Sequence, residues 1–180
     1  GFLKSRPDLD VPDLQVHFVA ALMFDHGRQK ADRHGFMAHV CQLRPESRGY
    51  VGLKSADPLA EPLIQPNYLS APNDIKALRE GVRACRRIFA QKAFEAYRGP
   101  EMMPGAHVQS DEEIDAFIRR TAETIYHPVG TAKMGTDEMA VVDAQLRVRG
   151  LQGLRVVDAS VMPTLVGGNT NAPTIMIAEK

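Results

Sequence analysis

Apolar positions along this chain fall into two patterns. Up to about residue 55 they come in short runs: LQVHFVAALMF at 14–24, FMAHVCQLRP at 36–45 and YVGLKS at 50–55. Runs of this length, rich in β-branched and aromatic residues, predict strands. ESRG at 46–49 predicts a glycine-containing turn that joins the second and third strands as a hairpin. Beyond residue 73 the spacing becomes helical. Ile75, Leu78, Val82, Cys85, Ile88 and Phe89 recur on one face, with Asn73 as the cap and Asp74 in the first turn, which predicts a helix over 73–97. Ser110-Asp111-Glu112-Glu113 has the S-x-x-E form of a capping box, and Ile114, Phe117 and Ile118 supply the buried stripe of a helix over 110–124.

The segments between these elements are polar or broken by proline. PDLDVPDL at 7–14 is an extended lead-in, and DHGRQKADRHG at 25–35 is a glycine-bounded surface loop. Prolines 58, 62, 66 and 72 keep the stretch after residue 55 extended and out of a sheet centre. After residue 140 the pattern predicts two strands across 140–161 and a final helix beyond PTLVGGNTNAP. The predicted fold class is α+β: a mainly antiparallel sheet of strands 14–24, 36–45 and 50–55, covered on one face by the helices at 73–97 and 110–124. Residues from 126 onward form a separate hairpin-and-helix arm.

Composition narrows the partners. Twenty-two basic and twenty-two acidic side chains cancel, so no overall field draws the chain to nucleic acid or an anionic membrane. No apolar run is long enough to span a bilayer, and Cys41 and Cys85 are too few for a disulfide framework. The default expectation is a cytoplasmic protein without an integral membrane segment.

Candidate chemistry gathers in the last third. In YHPVGTAKMG at 126–135, Pro128 pushes His127 out of the helical region, and Gly130 and Gly135 allow tight turns. LRVVDAS ends a strand in an acid and two small residues, where backbone approaches a ligand closely. GGNTNAPT leads through a glycine-rich turn into a helix start, whose amides can hold an anion or developing negative charge. A fixed His127, Asp158 at a strand end and Asn171 at a helix start can make one site.

These stretches resemble the C-terminal part of the glucose–methanol–choline (GMC) oxidoreductases, and their choline-dehydrogenase-like branch in particular. The resemblance is carried by LRPESRGYVGLKSADP at 43–58, IQPNYLS at 64–70, YHPVGTAKMG at 126–135, VVDAQLRVRGLQGLRVVDASVMPT at 141–164 and GNTNAPTIMIAEK at 168–180. It implies an FAD-dependent enzyme that oxidises a small-molecule alcohol to an aldehyde or ketone by hydride transfer to flavin. It implies His127 as the catalytic base and Asn171 as its partner. It places the cofactor beside Asp158 and Ala159, and beside Asn169, Thr170, Pro173 and Thr174 around the last helix start. Residues 1–125 then correspond to part of a substrate-binding domain, and 126–180 to a segment that completes the FAD domain.

The strand–GxGxxG–helix unit that opens the family's FAD domain does not occur in this sequence. The chain therefore reads as a fragment. By itself it is expected to be inactive, to bind FAD weakly or not at all, and to self-associate through apolar residues of 163–180. Membrane association stays open for a full-length enzyme. Two other readings compete. His26, His34, His39 and Cys41 crowd into sixteen residues, with His39 and Cys41 on one strand face, but their spacing fits no closed zinc site and no metal is expected. The second is a non-catalytic binding or scaffold domain on the same fold.

Overall fold

The run beginning at Leu14 stays extended only as far as Val19. Strand β2 (Leu14–Val19) pairs antiparallel with β1 (Phe2–Leu3) on one side and β3 (Met37–Gln42) on the other. The computed structural model describes residues 1–24, 27–29 and 31–180, so part of the polar loop at 25–35, His26 included, lies outside the described residues. The β2–β3 register sets Val16 opposite Val40, His17 opposite His39 and Phe18 opposite Ala38. Because side chains alternate along a strand, Val16, Phe18, Ala38 and Val40 share one face. Gln15, His17, His39 and Cys41 share the other.

Helix α1 (Pro72–Phe89) packs on the apolar face. It lies close at Gly81, where an added Cβ would stand 2.7 Å from Val40 Cγ2. Phe18, Phe36, Phe89 and Phe94 close the end of this layer, with Phe36 and Phe89 edge-to-face at 5.1 Å. The expected cap at Asn73 is displaced. Ala71 is the N-cap and Pro72 opens the helix, a position that suits the fixed φ of proline. Asp74 is only 2% exposed and its Oδ1 accepts from Gln42 Nε2 at 3.1 Å, which ties the first turn of α1 to β3. The helix also stops short of 97. It ends at Phe89, and a 3-10 turn at Lys92–Phe94 returns Phe94 to the aromatic cluster.

Helix α2 (Asp111–Thr121) begins with the capping box in full. The Glu113 amide donates to Ser110 Oγ at 3.2 Å, and the Ser110 amide donates to Glu113 Oε2 at 3.0 Å. Ile114 and Ile118 are buried, whereas Phe117 is half-buried with the Arg120 guanidinium 5.9 Å from its ring centre. α2 packs on α1, not on the sheet as expected. Arg79 of α1 forks onto Asp115 at 2.7 and 2.6 Å, and both Arg79 and Arg83 bond Asp111. A bidentate guanidinium–carboxylate pair fixes orientation as well as charge.

The expected hairpin of 36–45 with 50–55 does not form. Strand β4 (Tyr50–Gly52) pairs antiparallel with β5 (Leu63–Gln65) in a two-stranded sheet of its own. Its Gly49 explains the choice: a side chain there would collide with the backbone of Gln65 and Pro66, so the glycine serves close packing on the β5 end, not a tight turn back to β3. The chain divides into two compact units, residues 1–43 with 71–123 and residues 44–70 with 124–180. Residues 44–70, grouped by the sequence pattern with 1–125, thus pack with the C-terminal part.

The strands expected across 140–161 are replaced by isolated bridges, Met134 with Val142, Val142 with Val148 and Arg147 with Arg155. Side chain and backbone both oppose a regular strand here. Asp143 Oδ1 accepts the amides of Gln145 and Arg147 at 2.9 and 3.0 Å, a local turn that competes with a ladder. Leu146, Gly150 and Gly153 have φ of 63°, 79° and 72°.

Gly81→Ala tests the α1–β3 contact. In an open helix the change would stabilise by roughly 1 kcal/mol. Here the new methyl overpacks Val40, which typically costs about 1–3 kcal/mol. The net expectation is a lower urea midpoint with an unchanged m-value; a raised midpoint would show that the α1–β3 gap can accept the methyl.

Candidate functional site

The His127 segment is shaped from both sides. Tyr126, just before it, has φ of 63°, a left-handed conformation uncommon for a bulky residue, and its amide donates to Thr124 Oγ1 at 3.0 Å. Pro128 restricts the other side. His127 itself is half-buried. Gly130, with φ of 88°, then turns the chain close to the Met162 carbonyl, 3.3 Å from where its Cβ would stand.

From there the segment is held by main-chain hydrogen bonds. Ala132 N donates to Ser160 O at 3.0 Å, and Met134 N donates to Val161 O at 2.8 Å. On its other edge Val141 N donates to Lys133 O at 3.0 Å, and Gly135 N donates to Val142 O at 3.2 Å. The side chains beneath are Ala140, Val142, Val161 and Met162, all buried. The 130–135 part of YHPVGTAKMG is therefore threaded between the 141–142 backbone and the turn that follows Asp158. The structure brings His127's segment and the Asp158–Ala159 turn together.

Asp158 is extended and exposed, and it caps a 3-10 turn at Ala159–Val161 by accepting the Ser160 amide on Oδ1 at 2.7 Å. Hydrogen bonds from the Ser160 hydroxyl and amide hold its carboxyl below the usual carboxylate value. Half-buried Ala159 opens that turn.

Helix α3 (Asn171–Glu179) supplies the remaining candidates. Thr170 is its N-cap and is buried, but its side chain makes no capping bond. Its carbonyl instead accepts both the amide and the hydroxyl of Thr174, at 3.1 and 2.7 Å. Pro173 has no amide hydrogen, so the amides of Asn171 and Ala172 lead the helix. Asn169 and Asn171 are exposed, and Pro173 and Thr174 are half-buried. Among the described residues no hydrogen bond joins His127 to Asn171.

This arrangement fits the edge of an anionic or polarised cofactor. A helix start without a side-chain cap leaves its positive end and leading donors open to such a group. The G-x-G-x-x-G turn of a pyrophosphate cradle does not accompany it in the sequence.

On the first unit's sheet, the face shared by His39 and Cys41 holds a residue that the metal reading overlooked. Cys41 Sγ lies 3.8 Å from His17 Nε2, and burial pushes the Cys41 thiol up. The period-two alternation of 14–19 was the signal that could have included His17. Among the described residues no group of three or more His, Cys, Asp or Glu is arranged to hold a metal ion.

A family model described as GMC oxidoreductase matches residues 45–178. The chain belongs to the GMC oxidoreductase family. It is 56% identical over 179 residues to an alcohol dehydrogenase [acceptor] of Pseudomonas putida, covering 99% of this chain and 32% of that protein. It is 52% identical over 182 residues to the mitochondrial choline dehydrogenase of Homo sapiens, covering 100% of this chain and 31% of that protein. Among solved structures, pyridoxine 4-oxidase from Mesorbium loti superposes with a TM-score of 0.88 at 31% identity, over 99% of this chain and 35% of that one. Formate oxidase from Aspergillus oryzae RIB40, described together with modification of its FAD, superposes with a TM-score of 0.80 at 29% identity, over 95% and 31%. The GMC chain thus spans about a third of the length of the curated relatives it matches. The α+β class agrees with these neighbours. No helix among the described residues is long and apolar enough to cross a membrane.

Asp158→Ala tests whether the cap organises this region. The folded carboxyl titrates lower than an unfolded one, so its stabilisation is fully present above the unfolded value of about 3.9. It is lost as pH falls through the folded value. The thermal midpoint of Asp158→Ala should lie below the parent's at pH 7, and the two curves should converge in strong acid. A gap that persists at the lowest pH would show that the loss is not electrostatic.

Proposed function

We propose that this chain is the C-terminal third of an FAD-dependent alcohol oxidoreductase that converts a small-molecule alcohol to an aldehyde or ketone. Residues 1–125 contribute the substrate-binding portion, although 44–70 packs with the C-terminal segment, and 126–180 complete the FAD domain and carry the catalytic groups. The observation that carries the reading is the fixed backbone around His127. An αL residue before it, a proline after it and, five and seven residues on, two main-chain bonds to the 160–161 turn constrain the backbone that carries His127, in a family with relatives named for alcohol oxidation.

FAD, when bound, supplies the hydride acceptor. An imidazole nitrogen of His127 takes the substrate hydroxyl proton, because the unprotonated ring nitrogen carries a lone pair that can accept it. A positioned base of this kind contributes roughly 100- to 10,000-fold. The Asn171 amide donates a hydrogen bond to the same substrate oxygen and keeps it in line, and it cannot itself accept the proton. The leading amides of α3 and the positive end of its dipole favour negative charge on the cofactor's edge, with Asn169, Thr170, Pro173 and Thr174 shaping that approach. The turn formed by Asp158 and Ala159 would border the cofactor's sugar chain.

The expected behaviour of the full-length protein follows. With saturating alcohol under anaerobic conditions, His127→Ala slows flavin reduction by roughly 100-fold or more. Asn171→Ala slows it by about 10-fold, the scale of one hydrogen bond. Both variants keep the parent's FAD content. Stopped-flow absorbance decides it: reduction of His127→Ala at the parent rate would make His127 a packing residue and end this assignment.

A further inference from the structure

Arg44, the first residue after the Leu43 that follows β3, belongs to the same compact unit as α3. A Cβ placed on Gly167 would stand 2.8 Å from Arg44 Nη2, 3.4 Å from Cζ and 3.9 Å from Nε. The guanidinium occupies the space that a side chain at 167 would need. Gly168, one residue on, has nothing within 4 Å of its Cβ position. Gly167 is also not among the glycines with positive φ, so its backbone conformation is open to other residues. The one neighbour that a side chain at 167 would have to move is the arginine.

We propose that Arg44 is a positioning residue for the start of α3. Its guanidinium lies against exposed Gly167, four residues before Asn171, where it can steady the loop leading to the buried Thr170 cap. The planar guanidinium suits this contact better than an ammonium, because it can lie along a peptide while directing several N–H groups outward. The inference rests on the reading of Asn171 as the substrate-oxygen partner, and Arg44 acts through that residue without touching substrate. A deviation of about 1 Å in such a group is enough to change a rate measurably.

The test uses the full-length, flavin-loaded protein and two variants that remove the contact from opposite sides. Arg44→Ala removes the guanidinium. Gly167→Ala displaces it, and should fold, since the atoms in the way are the end of a flexible side chain. Hydrogen exchange followed by mass spectrometry is expected to speed up across 165–174 in both, with 72–89 unchanged. Flavin reduction should slow by no more than the roughly 10-fold of Asn171→Ala. Arg44→Ala combined with Asn171→Ala should be no slower than Asn171→Ala alone. Unchanged exchange across 165–174 overturns the proposal, as do losses that multiply in the double variant. If Asn171→Ala itself reduces at the parent rate, the Asn171 assignment fails, and the exchange data alone decide whether Arg44 holds the loop.

Discussion

Two main-chain hydrogen bonds, Ala132 to Ser160 and Met134 to Val161, organise the C-terminal half of this chain. They matter because little regular structure surrounds them: between α2 and α3 there are only isolated bridges and one 3-10 turn. Buried amides and carbonyls must be paired somewhere, and where no sheet does it, loop-to-loop bonds must. The 130–135 segment bonds to the 160–161 turn on one edge and to 141–142 on the other. That double attachment encloses Val142 and Val161, both fully buried, and it fixes the path that carries His127. Local strain at Tyr126 is tolerable only because so much around it is constrained.

The first half is held differently. There the alternation of β2 and β3 gives one apolar face, α1 covers it, and α2 attaches to α1 through both apolar and charged contacts. Arg79 and Asp115 are 17% and 23% exposed, so the pair is partly shielded from water and from salt. A pair in that setting orients two helices better than a fully exposed one, although its net free energy remains modest. The glycine at 81 then sets how closely α1 lies on Val40. Small residues in this fold mark approach distances: Gly81 to a side chain, Gly49 to a backbone, Gly167 to a guanidinium.

Local signals were legible in the sequence and partner choice was not. The Ser110–Glu113 capping box is a contact within four residues, and both halves of it form. Helix periodicity located α1 and α2 for the same reason. Strand pairing depends on residues far apart, and here proximity misled: FMAHVCQLRP lies next to YVGLKS in sequence, yet β3 turns back to β2 and β4 waits for β5. The end of α1 was equally nonlocal, because the aromatic cluster, and no stop signal, decides where Phe94 goes. Of the candidate site, the segments around His127, Asp158 and Asn171 were readable as motifs. The pairing of 132–134 with 160–161, and the Arg44–Gly167 contact, exist only in three dimensions.

The exposed apolar residues bear on what the C-terminal half is for. α3 is apolar along most of its length, yet none of its residues is buried, and Ile175 and Met176 are 50% and 54% exposed. A helix that is hydrophobic all round ordinarily sits in an interior. Leu154 and Val157, from a stretch the sequence pattern predicts as a strand, are also exposed. Solitary exposed leucines need no explanation, but a helix and a strand-like segment exposed together do. The relatives are about three times as long as the matched region, so most of a GMC enzyme's surface partners lie outside it. A polar α3 start without a side-chain capping bond, followed by exposed apolar sides, suits an element whose start meets a polar group while its sides meet protein.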